Sequence, residues 1–141
     1  MKKLITVIIM IVFFIGGCSK DNQETSWNMR TVQDKSGKVI YCSNETQDLH
    51  LNAKPKNVTC ILKEPSITII NQDSGEEWTG KCKIIDKDSI ATIYEVVFDN
   101  NKTGHIAKSI TKYADNTQEN TLIISCEGYY LNLTENIDEA N

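Results

Sequence analysis

The 141-residue chain is poor in the residues that carry most enzymatic chemistry. It has two histidines, His50 and His105, and no CxxC pair among its five cysteines. The arrangement that lowers a thiol pKa in redox enzymes is therefore missing, and so are the usual zinc-ligand spacings. There is no GxSxG elbow, no HExxH and no glycine-rich phosphate loop. Positive charge is scarce as well: 15 Lys and Arg face 19 Asp and Glu, a formal net charge of −4. Without a basic stripe, the composition argues against nucleic acid and against an anionic lipid surface as partners. No apolar run in the chain reaches the about 20 residues that a membrane-spanning helix needs. With only two prolines, little breaks the regular structure after residue 20.

What is present begins at the N-terminus. Met1, Lys2 and Lys3 form a short positive start. Leu4 to Ile15 (LITVIIMIVFFI) is apolar but for Thr6, and polarity returns sharply with Ser19, Lys20 and Asp21. That is the length and flanking of an export signal. Ile15-Gly16-Gly17-Cys18 resembles the bacterial lipobox, with Gly where Ala or Ser is commoner in the position before the last small residue. The resemblance implies that residues 1–17 are cleaved and that Cys18 carries a diacyl- or triacylglyceryl group. Several acyl chains hold a protein stably on a membrane where one chain holds it only marginally. Ser19, where Asp would mean retention in the inner membrane, implies sorting to the outer membrane.

Losing Lys2 and Lys3 with the signal moves the formal charge from −4 to −6. The remaining length suits one domain. Residues 18–26 read as the lipidated N-terminus and a polar tether, 27–134 as a β-domain, and 135–141 as an acidic flexible tail. Four cysteines remain, Cys42, Cys60, Cys82 and Cys126. An even number in a small exported domain points to two disulfides, 42–60 and 82–126 being the preferred pairing, and to an oxidising periplasm. Neither a metal nor a cofactor is expected.

From Trp27 onward the pattern is strand, turn, strand. Trp27, Met29 and Thr31 alternate with polar neighbours; Asp34–Gly37 is a turn; Lys38–Ser43 returns as a hairpin. Asn44–Asp48 reads as a loop, Leu49–Leu51 as a short strand, and Lys54–Asn57 as a turn. Val58–Lys63 and Ser66–Asn71 are strands broken at Pro65. Trp78, Gly80, Cys82 and Ile84 share one face of the next strand, and Ile90, Thr92, Tyr94, Val96 and Phe98 one face of another. His105–Tyr113 is strand by its context, although Ile106, Ile110 and Tyr113 also fit a helical stripe. Thr121–Leu133 reads as one long final strand. The fold class is all-β: an antiparallel meander of about eight strands closing into a small barrel or sandwich.

The function this predicts is a non-catalytic protein-binding module facing the periplasm, of the inhibitor, immunity or exclusion type, whose partner is an envelope or incoming protein. Aromatic side chains carry interface energy disproportionately, which singles out Trp78, Tyr129 and Tyr130; the two tyrosines, being adjacent on a strand, face opposite ways. Ser74-Gly75-Glu76-Glu77-Trp78 resembles the first of two motifs in the periplasmic inhibitors of C-type lysozymes, with Trp in place of Tyr, while the second motif is absent. That likeness implies a disulfide-pinned barrel whose Ser74 enters a lysozyme cleft. Two further readings are a glycan hydrolase using a pair among Glu76, Glu77, Asp86, Asp88, Glu95 and Glu127, and an envelope assembly accessory, of which a hollow lipid-carrying barrel is a variant. The Asn-x-Ser/Thr sites at Asn44, Asn57, Asn101 and Asn132 reflect an Asn- and Thr-rich composition.

Overall fold

Alternation of apolar and polar residues decides this fold, because each strand buries one side and wets the other. The structure is a computed structural model and describes residues 23–50 and 52–136. The signal segment, Cys18, Ser19, Leu51 and the tail from 137 lie outside the described residues. The strands are β1 (Thr25–Gln33), β2 (Val39–Cys42), β3 (Lys54–Pro55), β4 (Val58–Lys63) and β5 (Ser66–Asn71). They continue as β6 (Glu77–Lys87), β7 (Ala91–Phe98), β8 (Thr103–Lys112), β9 (Gln118–Cys126) and β10 (Tyr129–Glu135).

Eight of them form a closed antiparallel barrel in the order β1-β4-β5-β6-β7-β8-β9-β10, with β10 pairing back onto β1. Closure leaves no open edge within this ring. β2 and β3 lie outside it. β1 pairs with β4 from Thr25 to Asn28, and from Thr31 its same edge is taken over by β2. β3 then pairs in parallel with β2.

Three sequence expectations change here. Asn44–Leu49 is a 3-10 helix rather than a loop leading into a strand. Lys54–Pro55 is a short strand, not a turn. The expected final strand is two strands, β9 and β10, joined at Glu127-Gly128. Both residues have positive φ, 53° and 84°, which gives a two-residue turn the twist a hairpin requires. Without that reversal β10 could not reach β1 and the barrel would stay open.

A register shift in β1 between Met29 and Thr31, against β10, adds one residue on the β1 side. The inward side chains are Trp27 and Met29 before it and Val32 after it, so Thr31 turns outward, where Asn132 donates to its hydroxyl at 3.1 Å. The core fills the middle of the barrel. Trp27, Leu62, Ile67, Tyr94, Val96, Ile106, Leu122 and Leu133 are all essentially inaccessible. The lumen is therefore packed, not a channel. Trp78, Gly80 and Cys82 on β6 and Thr92, Tyr94, Val96 and Phe98 on β7 point inside as read, whereas Ile84 and Ile90, expected on the same faces, are exposed at the strand ends.

All four described cysteines are free thiols. Cys82, Val96, Gly104 and Cys126 occupy one row of paired positions across β6, β7, β8 and β9. Three strand spacings of about 4.8 Å separate its ends, beyond the ~7 Å between Cα atoms that a disulfide tolerates. Cys42 pairs with Thr31 and Cys60 with Trp27 along the same edge of β1, a separation of roughly 13 Å at strand rise. Neither preferred bridge is within reach. Cys60 and Cys82 belong to the central core, while Cys42 is buried outside it.

The alternation of strand directions gives the barrel two distinct ends. β1 begins at one, the entry end, which also carries the β4–β5, β6–β7 and β8–β9 connections. The other end carries the β1–β2, β5–β6, β7–β8 and β9–β10 turns.

Candidate functional site

At the end opposite chain entry the packed core stops short and leaves an open cup of about 420 Å³. Four aromatic side chains line it: Tyr41, Trp78, Phe98 and Tyr129. Val32, Val58, Ile69, Ile124 and Leu131 complete an apolar wall, and Cys126 sits among them. Lys56, Asn100, Lys102 and Glu127 are the polar members. The volume lies within the range of small-ligand pockets, and barrel mouths are a common place for them.

Each wall has a local cause. The β1 bulge turns Val32 inward, and its cross-strand partner on β2 is Tyr41. β2 thus adds an aromatic to the mouth from outside the ring. Lys56 lies with its ammonium 4.5 Å from the Tyr41 ring centroid, a cation–π contact of about 0.5–1 kcal/mol at an exposed site. Trp78 is the cross-strand partner of Ile69, itself opposite Cys60, which is opposite Trp27. Both tryptophans thus belong to one slanting row across four strands. Phe98 ends β7 on the inner face that the sequence assigns to it. Gly104 is required by crowding: a Cβ there would lie 2.3 Å from the Ser125 carbonyl oxygen. Lys102 donates to Glu127 across the rim at 3.1 Å, both half exposed, so the pair contributes ~0–1 kcal/mol.

Of the residues singled out from sequence, Trp78 and Tyr129 meet in the cup. Tyr130 does not; it points to the outer wall, paired with Gln33 and Ser125. Ser74 is at the same end of the barrel but in the β5–β6 turn, where its hydroxyl accepts the Glu76 N–H at 3.3 Å. Tyr41, Phe98, Lys56 and Lys102 were not singled out. Phe98 was legible from parity alone; Tyr41 and Lys56 were not, because β2 joins the mouth only through the bulge in β1.

The candidate acids are dispersed. Glu76, Glu77 and Glu127 are at the cup end, Asp86 and Asp88 at the entry end, and Glu95 on the outer wall opposite His105. Among the described residues, Glu127 is the one acid lining the cup. At the entry end the buried Tyr94 hydroxyl donates to Glu64. Burial, and then that carboxylate, push the Tyr94 pKa upward. Burial also pushes the Cys60 thiol up to about 12, with the neighbouring Cys82 charge adding to it. Cys82 is raised by burial and by Glu64, and Cys126 by burial and by Glu127. These thiols stay protonated near neutral pH, and a protonated thiol is neither nucleophile nor metal ligand. Among the described residues no three His, Cys, Asp or Glu side chains converge as a metal site.

No family model, no curated protein and no solved structure matches this chain.

Proposed function

We propose that this protein is a lipid-anchored, non-catalytic binding module of the bacterial envelope, and that it engages a partner protein through the aromatic cup. The observation that carries the reading is the position of the cup at the barrel end opposite the start of β1. A lipid on Cys18 holds the entry end at the membrane and leaves the cup directed into the periplasm. Ser19 favours the outer membrane as the site of anchoring.

An aromatic centre with a polar rim has the composition of an interface hot spot. Lys56 and Lys102 flank the apolar wall, so the partner is one that inserts an apolar or aromatic side chain next to a carboxylate. Inhibition, immunity and exclusion of incoming elements are all uses of such a module. A carboxylate-pair hydrolase needs two acids facing each other across a cleft; the cup has Glu127 alone, tied to Lys102. A lysozyme-inhibitor-like role is a narrower form of the same reading, supported by a barrel fold with the Ser74–Trp78 segment beside the cup; it predicts that the protein slows C-type lysozyme in a cell-wall clearing assay.

The periplasm would permit the two expected disulfides, but Cys42, Cys60, Cys82 and Cys126 are free thiols in this structure and neither 42–60 nor 82–126 is within reach.

Two measurements test the reading. Mass spectrometry of the mature N-terminus should find acyl groups on Cys18. The protein should capture an envelope protein saturably at micromolar concentration, and Tyr129→Ala should weaken this. An unmodified Cys18, or capture indifferent to Tyr129, would overturn the anchoring or the site respectively.

A further inference from the structure

The entry end carries an exposed apolar rim. Ile85, Ile90 and Tyr113 are 51%, 59% and 49% exposed, and Ile84 and Ile110 are each 40% exposed. All five lie at the entry-end tips of β6–β7 and β8–β9. They are continuous across the two tips, since the Ile110 N–H donates to the Ile90 carbonyl at 3.0 Å. Ile85 is exposed because the register between β6 and β7 shifts between Ile84 and Asp86, leaving it the extra residue of a bulge. The Ile90 turn is held in shape by Asp88, whose carboxylate accepts the N–H of Ile90 and of Ala91, both at 2.8 Å. Lys83, Lys87, Lys108 and Lys112 are interleaved with this rim, as are the acids Asp86, Asp88 and Asp115.

The rest of the chain says what covers it. Six residues separate Cys18 from Thr25, where β1 begins. Even fully extended they span on the order of 20 Å. A lipid at Cys18 therefore keeps this end of the barrel the nearest to the bilayer.

We propose that the rim of Ile84, Ile85, Ile90, Ile110 and Tyr113 docks on the lipid bilayer to which Cys18 is anchored. The barrel stands end-on, with its cup directed away from the membrane. The isoleucines and Tyr113 enter the interfacial region, and the lysines keep their ammonium groups among the headgroups. Net charge disfavours a membrane surface; what favours it at this one end is the exposed apolar rim. The inference rests on lipidation of Cys18 and deepens the proposed function by fixing the direction the cup faces.

The test uses the full chain, processed in a bacterial host and reconstituted in vesicles of phosphatidylethanolamine and phosphatidylglycerol with brominated acyl chains. Tryptophan is introduced as Ile90→Trp or Ile85→Trp at the entry end, and as Glu77→Trp at the cup end of β6. The emission added by Ile90→Trp and Ile85→Trp should shift to the blue and be quenched by the brominated lipid, while that of Glu77→Trp should match the value in unbrominated vesicles. If Cys18 carries its lipid and neither entry-end reporter is quenched, the domain hangs free and the docking is wrong while the anchoring stands. Quenching of Glu77→Trp in place of Ile90→Trp would invert the orientation. A Cys18 without acyl groups would overturn anchoring and docking together.

Discussion

Tyr129 and Tyr130 stand back to back at the start of β10, Tyr129 turned into the cup and Tyr130 onto the outer wall. The pair separates binding at the cup from binding at the barrel surface. Tyr129→Ala should weaken partner binding by about 2 kcal/mol or more, the cost of losing an interface anchor. Tyr130→Ala should leave it within about 0.5 kcal/mol, as for surface substitutions away from special features. Titration calorimetry against the captured partner checks both. Equal losses would move the site off the cup.

Gly104 leaves no room for a Cβ between β8 and β9. Gly104→Ala places a methyl group 2.3 Å from the Ser125 carbonyl oxygen, and a backbone atom cannot retreat as a flexible side chain does. The variant should lose about 1–3 kcal/mol of stability, the usual cost of overpacking, measured by urea denaturation. An unchanged midpoint would mean that the strands are farther apart than described.

Three hairpin turns are acid-sensitive by construction. Hydrogen bonds from the side chain and backbone of Ser36 hold the Asp34 carboxyl below its ordinary value. The Ile90 and Ala91 amides do this for Asp88, and the Thr117 hydroxyl and amide for Asp115. A carboxyl whose folded pKa is depressed contributes stability above its unfolded value of about 3.9 and loses it as pH falls through the folded value. Stability should decline below about pH 4, and Asp88→Asn should flatten that slope. At the other extreme, the Cys60 thiol is raised to about 12, so the unfolded chain ionises first. Stability should fall as pH rises from about 8.5, the unfolded thiol value, toward 12, less steeply in Cys60→Ala. Circular dichroism melts across both ranges check the two slopes; pH-independent melting temperatures would contradict them.

The cysteines give a prediction of their own. Protein isolated without reductant, then denatured and alkylated, should show four reactive thiols among Cys42, Cys60, Cys82 and Cys126. Two or none would contradict the four free thiols of this structure. In the native protein Cys126 should react first, since it alone of the four is not fully buried, and a partner seated in the cup should protect it.

Much of this architecture was legible in the sequence because burial in a barrel imposes period two. Trp78 to Cys82 and Thr92 to Phe98 show that alternation without interruption, and their inward faces follow from it. Asp34–Gly37 and Asp99–Gly104 mark reversals by composition. What was not legible came from single residues that break the period. The extra residue in β1 between Met29 and Thr31 moves the inward face from odd to even positions, so Val32 lines the cup where alternation pointed to Thr31. Glu127-Gly128 is a two-residue turn without the Asn or Asp that normally marks one, and the apolar residues on either side made β9 and β10 read as one strand. The cup was missed for the same reason: it exists only once β10 has closed onto β1 and β2 has brought Tyr41 to the mouth.

The most direct test of a cup that meets a partner is photocrosslinking in living cells, with p-benzoylphenylalanine placed at Tyr129 or at Tyr130. Irradiation should give a discrete crosslinked species from position 129 and none from position 130. A crosslink from 130 alone, or from neither, would contradict the cup as the place where this protein meets its partner.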